Sequence, residues 1–130
     1  MRLGLVNRYF QSLLDLLSAS PIVRSSDITL DTRSEFVAFI RGNIYFTDDS
    51  QLHFRELVDV EFNINRIAYA YHYQKNDSTL IFRYDNTPHF PTLPNAPHHK
   101  HDRDETNVVS ANVPDLAIVL IEIEAIVPIE

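Results

Sequence analysis

His53, His72, Arg55 and Arg83 are residue types that can break a phosphodiester without a metal, and Asp85 could orient one of the histidines. Internal cleavage of RNA needs a base for the 2′-hydroxyl, an acid for the leaving 5′-oxygen and positive charge beside the phosphorane between them. Histidine supplies the first two near neutral pH, and arginine offers paired donors to phosphate oxygens. Arg41, Gln74, His89, His98, His99, Lys100 and His101 complete the set of candidate substrate contacts. The plain alternative is a solvated sheet face with scattered polar residues.

The run Pro97-His98-His99-Lys100-His101, with His89 upstream, also invites a metal reading, since neutral imidazoles bind zinc or nickel. Three histidines within four residues of an extended loop cannot all face one ion without a sharp turn, and only Asp102 and Asp104 stand by as helpers. A charged, solvated loop is the simpler account, so neither metal nor cofactor is expected. Pro88, Pro91, Pro94 and Pro97 recur every third residue, matching polyproline II, and predict a stiff, extended segment. Stiffening explains that spacing more simply than use as a ligand for an aromatic groove.

These residues need elements to hold them. Val6, Phe10, Leu13, Leu14 and Leu17 recur at helical spacing, and the run stops at Ser20-Pro21, giving an N-terminal helix over 1–20. From 27 to 85 the period changes to two, which reads as an antiparallel meander of about five strands. A turn centred on Asp49 sets Tyr45 against His53 and Asn43 against Arg55, and a two-residue turn at Asn76-Asp77 sets Tyr71 against Phe82. Pairing Asp59 with Arg66 brings His53 opposite His72.

One face is then apolar, while the other carries Arg41, His53, Arg55, His72, Gln74, Arg83 and Asp85, interrupted by Leu57, Ala68, Ala70 and Ile81. Glu56 stands alone on the apolar face, either as a buried acid or base or, more simply, hydrogen-bonded to a tyrosine such as Tyr69. Residues 86–112 show no period and read as a Pro/His-rich loop able to fold back over the polar face. Residues 113–127 read as a C-terminal helix with Pro114 in its first turn, although Ile121-Glu122-Ile123-Glu124 also suits a strand. Its apolar stripe runs almost all round, which asks for burial on two sides.

The 130 residues carry a net charge of −7 and no cysteine, which excludes disulfides and thiolate metal sites. One domain with a single core is expected. Neither a signal peptide nor a membrane span is expected, and the cytoplasm is the expected location. Acidity argues against nucleic acid, yet it is unevenly placed. Residues 1–101 hold ten Lys/Arg and eleven Asp/Glu, whereas 102–130 hold one against seven, so the body is near neutral and a local basic patch can form.

Ile44-Tyr45-Phe46, the run from Leu52 to Asp59, Tyr71-His72-Tyr73-Gln74, the run from Phe82 to His89 and Pro97-His98-His99-Lys100-His101, in that order, closely resemble the TumE-like family of small prokaryotic toxin components. The resemblance covers about residues 20 to 127, and Phe90 stands where a second histidine after His89 is expected. It implies a toxin of a type II toxin–antitoxin system, a helix-turn-helix antitoxin as partner and a RelE-like ribonuclease action. It brings no catalytic residues with it, and the connectivity read above differs from the RelE order.

The reading is therefore an α+β domain, with one helix at each end packed on one face of the meander. The expected function is that of a toxin acting on RNA, with His98 to His101 closing over the substrate. The other reading is a non-catalytic module that holds an antitoxin or another protein, a second copy of the chain included, through the polar face, the long loop and the C-terminal helix.

Overall fold

Seven strands pair antiparallel in strict chain order: β1 (Val23–Thr32), β2 (Val37–Phe46), β3 (Gln51–Asp59), β4 (Asn65–Gln74), β5 (Leu80–Asp85), β6 (His99–Asp102) and β7 (Val108–Ser110). The computed structural model describes residues 4–129. The expected helix start at residues 1–3 lies outside the described residues. The strands expected between 27 and 85 are present as β1 to β5. The other two arise in the segment expected to be loop, which corrects the strand count from about five to seven.

Alternation in β2 and β3 is unbroken, because every second side chain enters the core. The hairpin register differs from expectation by two residues. Phe46 and Ser50 close a three-residue loop in which Asp49 takes a left-handed conformation (φ 68°) and Asp48 Oδ1 accepts the Ser50 N–H at 3.0 Å. His53 therefore faces Asn43, and Arg55 faces Arg41. The β4–β5 hairpin is built alike, with Lys75 and Thr79 closing the loop and Ser78 at φ 71°. A bulge between Tyr73 and Gln74 adds one more residue, so Tyr71 meets Tyr84 and His72 meets Arg83. Because strands repeat every two residues, both slips leave every side chain on its expected face. His53 pairs with His72 as expected, a bulge after Leu57 having moved Arg66 opposite Val58 and Asn65 opposite Asp59.

The proline-paced segment is not extended. Turns closed by Leu93 N–H to Phe90 O, Ala96 N–H to Leu93 O and His98 N–H to Asn95 O fold it back, and His99 returns beside Asp85. Pattern reading misses β6 because it has four residues, all polar.

Helices α1 (Leu5–Ala19) and α2 (Leu116–Glu124) cover the apolar face. In α1, Tyr9 replaces the expected Phe10 in the buried stripe, beside Val6, Leu13 and Leu17. In α2, Asp115 is the N-cap, accepting the Ile118 N–H at 2.8 Å, with Pro114 just before it. The strand alternative for this segment does not occur. Leu116, Val119, Leu120 and Ile123 are buried, whereas Ile118 and Ile121 are exposed, so α2 is covered on one side rather than two. Each fully buried aliphatic such as Ile40, Ile44 or Leu52 contributes about 1.5–3 kcal/mol.

Candidate functional site

The polar face is concave. Arg41, His53, Arg55, His72 and Arg83 line a hollow of about 600 Å³, with Asp27 as its acidic member. Strand pairing alone sets this convergence: Arg41 opposes Arg55, His53 opposes His72, and His72 opposes Arg83. Among the described residues neither Arg41 nor Arg55 forms an ion pair, so both guanidinium groups face the hollow without an anionic partner.

The two histidine rings lie 6.4 Å apart between centroids. His53 Nδ1 is held by Asn43 Oδ1, an acceptor, so Nδ1 carries hydrogen and Nε2 is left for chemistry. His72 Nε2 donates to Gln74 Oε1 at 3.0 Å, and its Nδ1 receives Arg83 Nη1 at 3.5 Å. Burial lowers the His72 pKa from the usual histidine value, and the Arg83 charge lowers it further, against a smaller opposing effect of Gln74. His72 is thereby kept in its neutral, basic form.

Asp85 anchors the next strands. Its Oδ2 accepts from Arg83 Nε at 2.9 Å, and its Oδ1 accepts the Thr87 N–H at 3.0 Å and lies 3.0 Å from His99 Nε2. Burial alone would raise this carboxyl, but the Thr87 N–H, the Arg83 hydrogen bond and the positive charges around it hold it below the usual carboxylate range. Asp85 thus touches Arg83 and His99, not His53 or His72.

His99 to His101 lie in β6, with His98 just before it, so the segment is paired into the sheet, and alternation divides it. His99 and His101 join the polar face, while His98 and Lys100 turn to the helix side. His98 stacks on Tyr69 at 5.8 Å, and its Nδ1 lies 2.7 Å from the Tyr69 hydroxyl. Lys100 Nζ donates to Glu122 Oε2 at 2.9 Å over the rings of Phe82 and Tyr84. His89 is exposed beside Phe90 and outside the hollow. Asn43 and Asp27 were not singled out from sequence, although their position on the polar face was readable from parity.

Glu56 is fully buried and receives the hydroxyls of Tyr9 and Tyr71, one on each oxygen. Burial pushes its carboxyl above the usual range, against those hydroxyls. The expected tyrosine bond therefore exists with different partners. Tyr69 opposes Glu56 across the ladder but its hydroxyl is bonded to His98 Nδ1 instead.

A sequence model of the family described as Toxin TumE matches residues 13–127, from the middle of α1 to beyond the end of α2. The chain belongs to the TumE toxin family. Family membership implies an antitoxin partner in general terms. No curated protein and no solved structure matches the chain. Among the described residues no helix is long and apolar enough to cross a membrane.

Proposed function

We propose that this member of the TumE family is the toxin of a type II system and cleaves RNA at the hollow of the polar face, in the cytoplasm. One observation carries the reading: three guanidinium groups and two imidazoles converge on one concavity in a protein of net charge −7. His72, held neutral with its Nε2–H on Gln74, takes the proton of a 2′-hydroxyl at Nδ1, where the substrate displaces the long 3.5 Å contact from Arg83 Nη1. The resulting oxyanion attacks the adjacent phosphorus, and Arg55 and Arg83 neutralise the phosphorane, with Arg41 holding a neighbouring phosphate. Protonated His53 keeps its Nδ1–H on Asn43 and passes its Nε2 proton to the leaving 5′-oxygen. The products are a 2′,3′-cyclic phosphate and a 5′-hydroxyl, and this pair needs no metal.

The test is induction of the wild type and of His53→Ala and His72→Ala in a bacterial host, following growth and total RNA together. Arrest with RNA fragmentation in the wild type, absent from both folded variants, supports the reading. Unchanged cleavage and growth inhibition in both variants sinks it.

A second reading rests on the exposed apolar residues Phe62 (92%) and Ile121 (67%). Here the chain is a non-catalytic module whose α2 surface holds an antitoxin or another copy of itself. Polar-face variants that keep toxicity, together with Ile121→Lys losing a stable partner complex, favour this reading.

A further inference from the structure

Asp85, His99 and His101 form a second cluster on the same sheet face, and the proposed acid–base pair does not use it. β6 runs beside β5 with His99 opposite Asp85 and His101 opposite Arg83, so alternation turns the three side chains to one side. They are only 4%, 2% and 8% exposed. His99 Nδ1 lies 2.9 Å from the Pro97 carbonyl, and His101 Nδ1 lies 2.9 Å from the Glu105 carbonyl. Carbonyls only accept, so both Nδ1 atoms carry hydrogen, and in the neutral rings both lone pairs sit on Nε2. Those two atoms face Asp85, at 3.0 Å from Oδ1 and 3.9 Å from Oδ2.

Two lone pairs aimed at a carboxylate repel it unless a cation lies between them. A proton on His99 accounts for the 3.0 Å contact but leaves His101 Nε2 beyond hydrogen-bond reach of the carboxylate. One metal ion accounts for both, since an ion about 2.0–2.2 Å from each donor draws all three together. The donor atoms already lie within 4.8 Å of one another.

We propose that Asp85, His99 and His101 bind one divalent transition-metal ion of the zinc type. The Pro97 and Glu105 carbonyls fix both ring tautomers, as partners behind metal-bound histidines do, and Thr87 and Arg83 hold the carboxylate. Phe90, 4.9 Å from the His99 ring and 6.0 Å from the His101 ring, supplies an apolar wall. Two imidazoles and one carboxylate favour zinc, cobalt or nickel over magnesium and calcium, and three protein ligands leave a position open. The Arg83 charge weakens binding relative to a site without it. The sequence-based expectation of no metal assumed an extended loop; pairing with β5 supplies the shared face and the carboxylate that a loop lacks.

The test uses the full, untagged chain, stripped with chelator and titrated with Zn²⁺ alone by calorimetry. Stoichiometric binding is expected, with His99→Ala, His101→Ala and Asp85→Asn each weakening it by more than about 100-fold. His89→Ala and His98→Ala are expected to bind as the wild type does. If a ligand variant does not fold, X-ray absorption of the wild-type zinc adduct decides, and two imidazole ligands support the site. Substoichiometric binding, equal binding by folded His101→Ala, or an adduct with fewer imidazoles overturns it. The His53→Ala/His72→Ala variant is expected to retain zinc, so failure of the nuclease reading and failure of this one are separable.

Discussion

Arg83 reaches two partners at once, with Nε 2.9 Å from Asp85 Oδ2 and Nη1 3.5 Å from His72 Nδ1. It thereby joins the acid–base pair to the buried carboxylate, and its charge depresses the His72 pKa in addition to the larger effect of burial. Replacing it by Arg83→Gln should raise the His72 pKa toward, but not above, the usual 6.5. Titration of the His72 ring protons by NMR checks this, and an unchanged midpoint would remove Arg83 as a cause.

The pH profile of cleavage follows from the same residue. His72 must be neutral to act as base, so activity is lost as pH falls through its pKa. Because that pKa is lowered, the acid-side fall in kcat/KM should centre below 6.5. A fall centred above that value would remove His72 from the role.

Glu56 makes stability fall with rising pH. Its folded pKa is raised above 4.5, so the unfolded chain ionises first, and the contribution of the protonated carboxyl is lost as pH rises from 4.5 through the folded value. Glu56→Gln, which can still hydrogen-bond Tyr9 and Tyr71, should flatten that slope in urea midpoints taken across this range. Glu56→Leu should cost about 1–3 kcal/mol for each of the two hydroxyls, Tyr9 and Tyr71, that it leaves unpaired.

Arg41 and Arg55 carry the salt dependence of RNA binding in the proposed reading. Each of Arg41→Ala and Arg55→Ala should weaken binding to single-stranded RNA of any sequence. Each should also reduce the slope of log K against log salt by about 0.7. Loss confined to one sequence would instead mark a base contact.

Gly42 has no room for a side chain unless its neighbours shift. A Cβ there would stand 2.4 Å from Ile28 Cδ1 and 2.8 Å from Phe54 Cε1. Gly42→Ala should cost about 1–3 kcal/mol, read from chemical denaturation, because Ile28 and Phe54 must both give way.

The sequence exposed the polar face more reliably than the ladder that builds it. Arg41, His53, Arg55, His72 and Arg83 do converge, because face assignment depends only on parity, and both hairpin slips were by two. The slips themselves were hidden in Asp49 and Ser78, whose left-handed conformations make three-residue loops that residue type alone does not reveal. β6 escaped notice for another reason. Lys100 lies on the helix side, where its stem covers aromatic rings and its charge meets Glu122, so no apolar alternation marks the strand. Glu56 is legible as an anomaly, but its partner Tyr9 is not, because the neighbouring Phe10 fits the apolar helical spacing equally well.

A sheet whose strands pair in chain order closes by local steps, except at the connection from 86 to 98, where a longer segment must fold before β6 can dock. β6 and β7 have only four and three residues. Short strands hold few ladder bonds, so β6 and β7 are expected to be the first part of the sheet to open in hydrogen exchange. The expected outcome is that amides around His53 and His72 exchange with the body of the protein, and those around His99 and His101 ahead of it, so the two halves of the polar face need not share one stability.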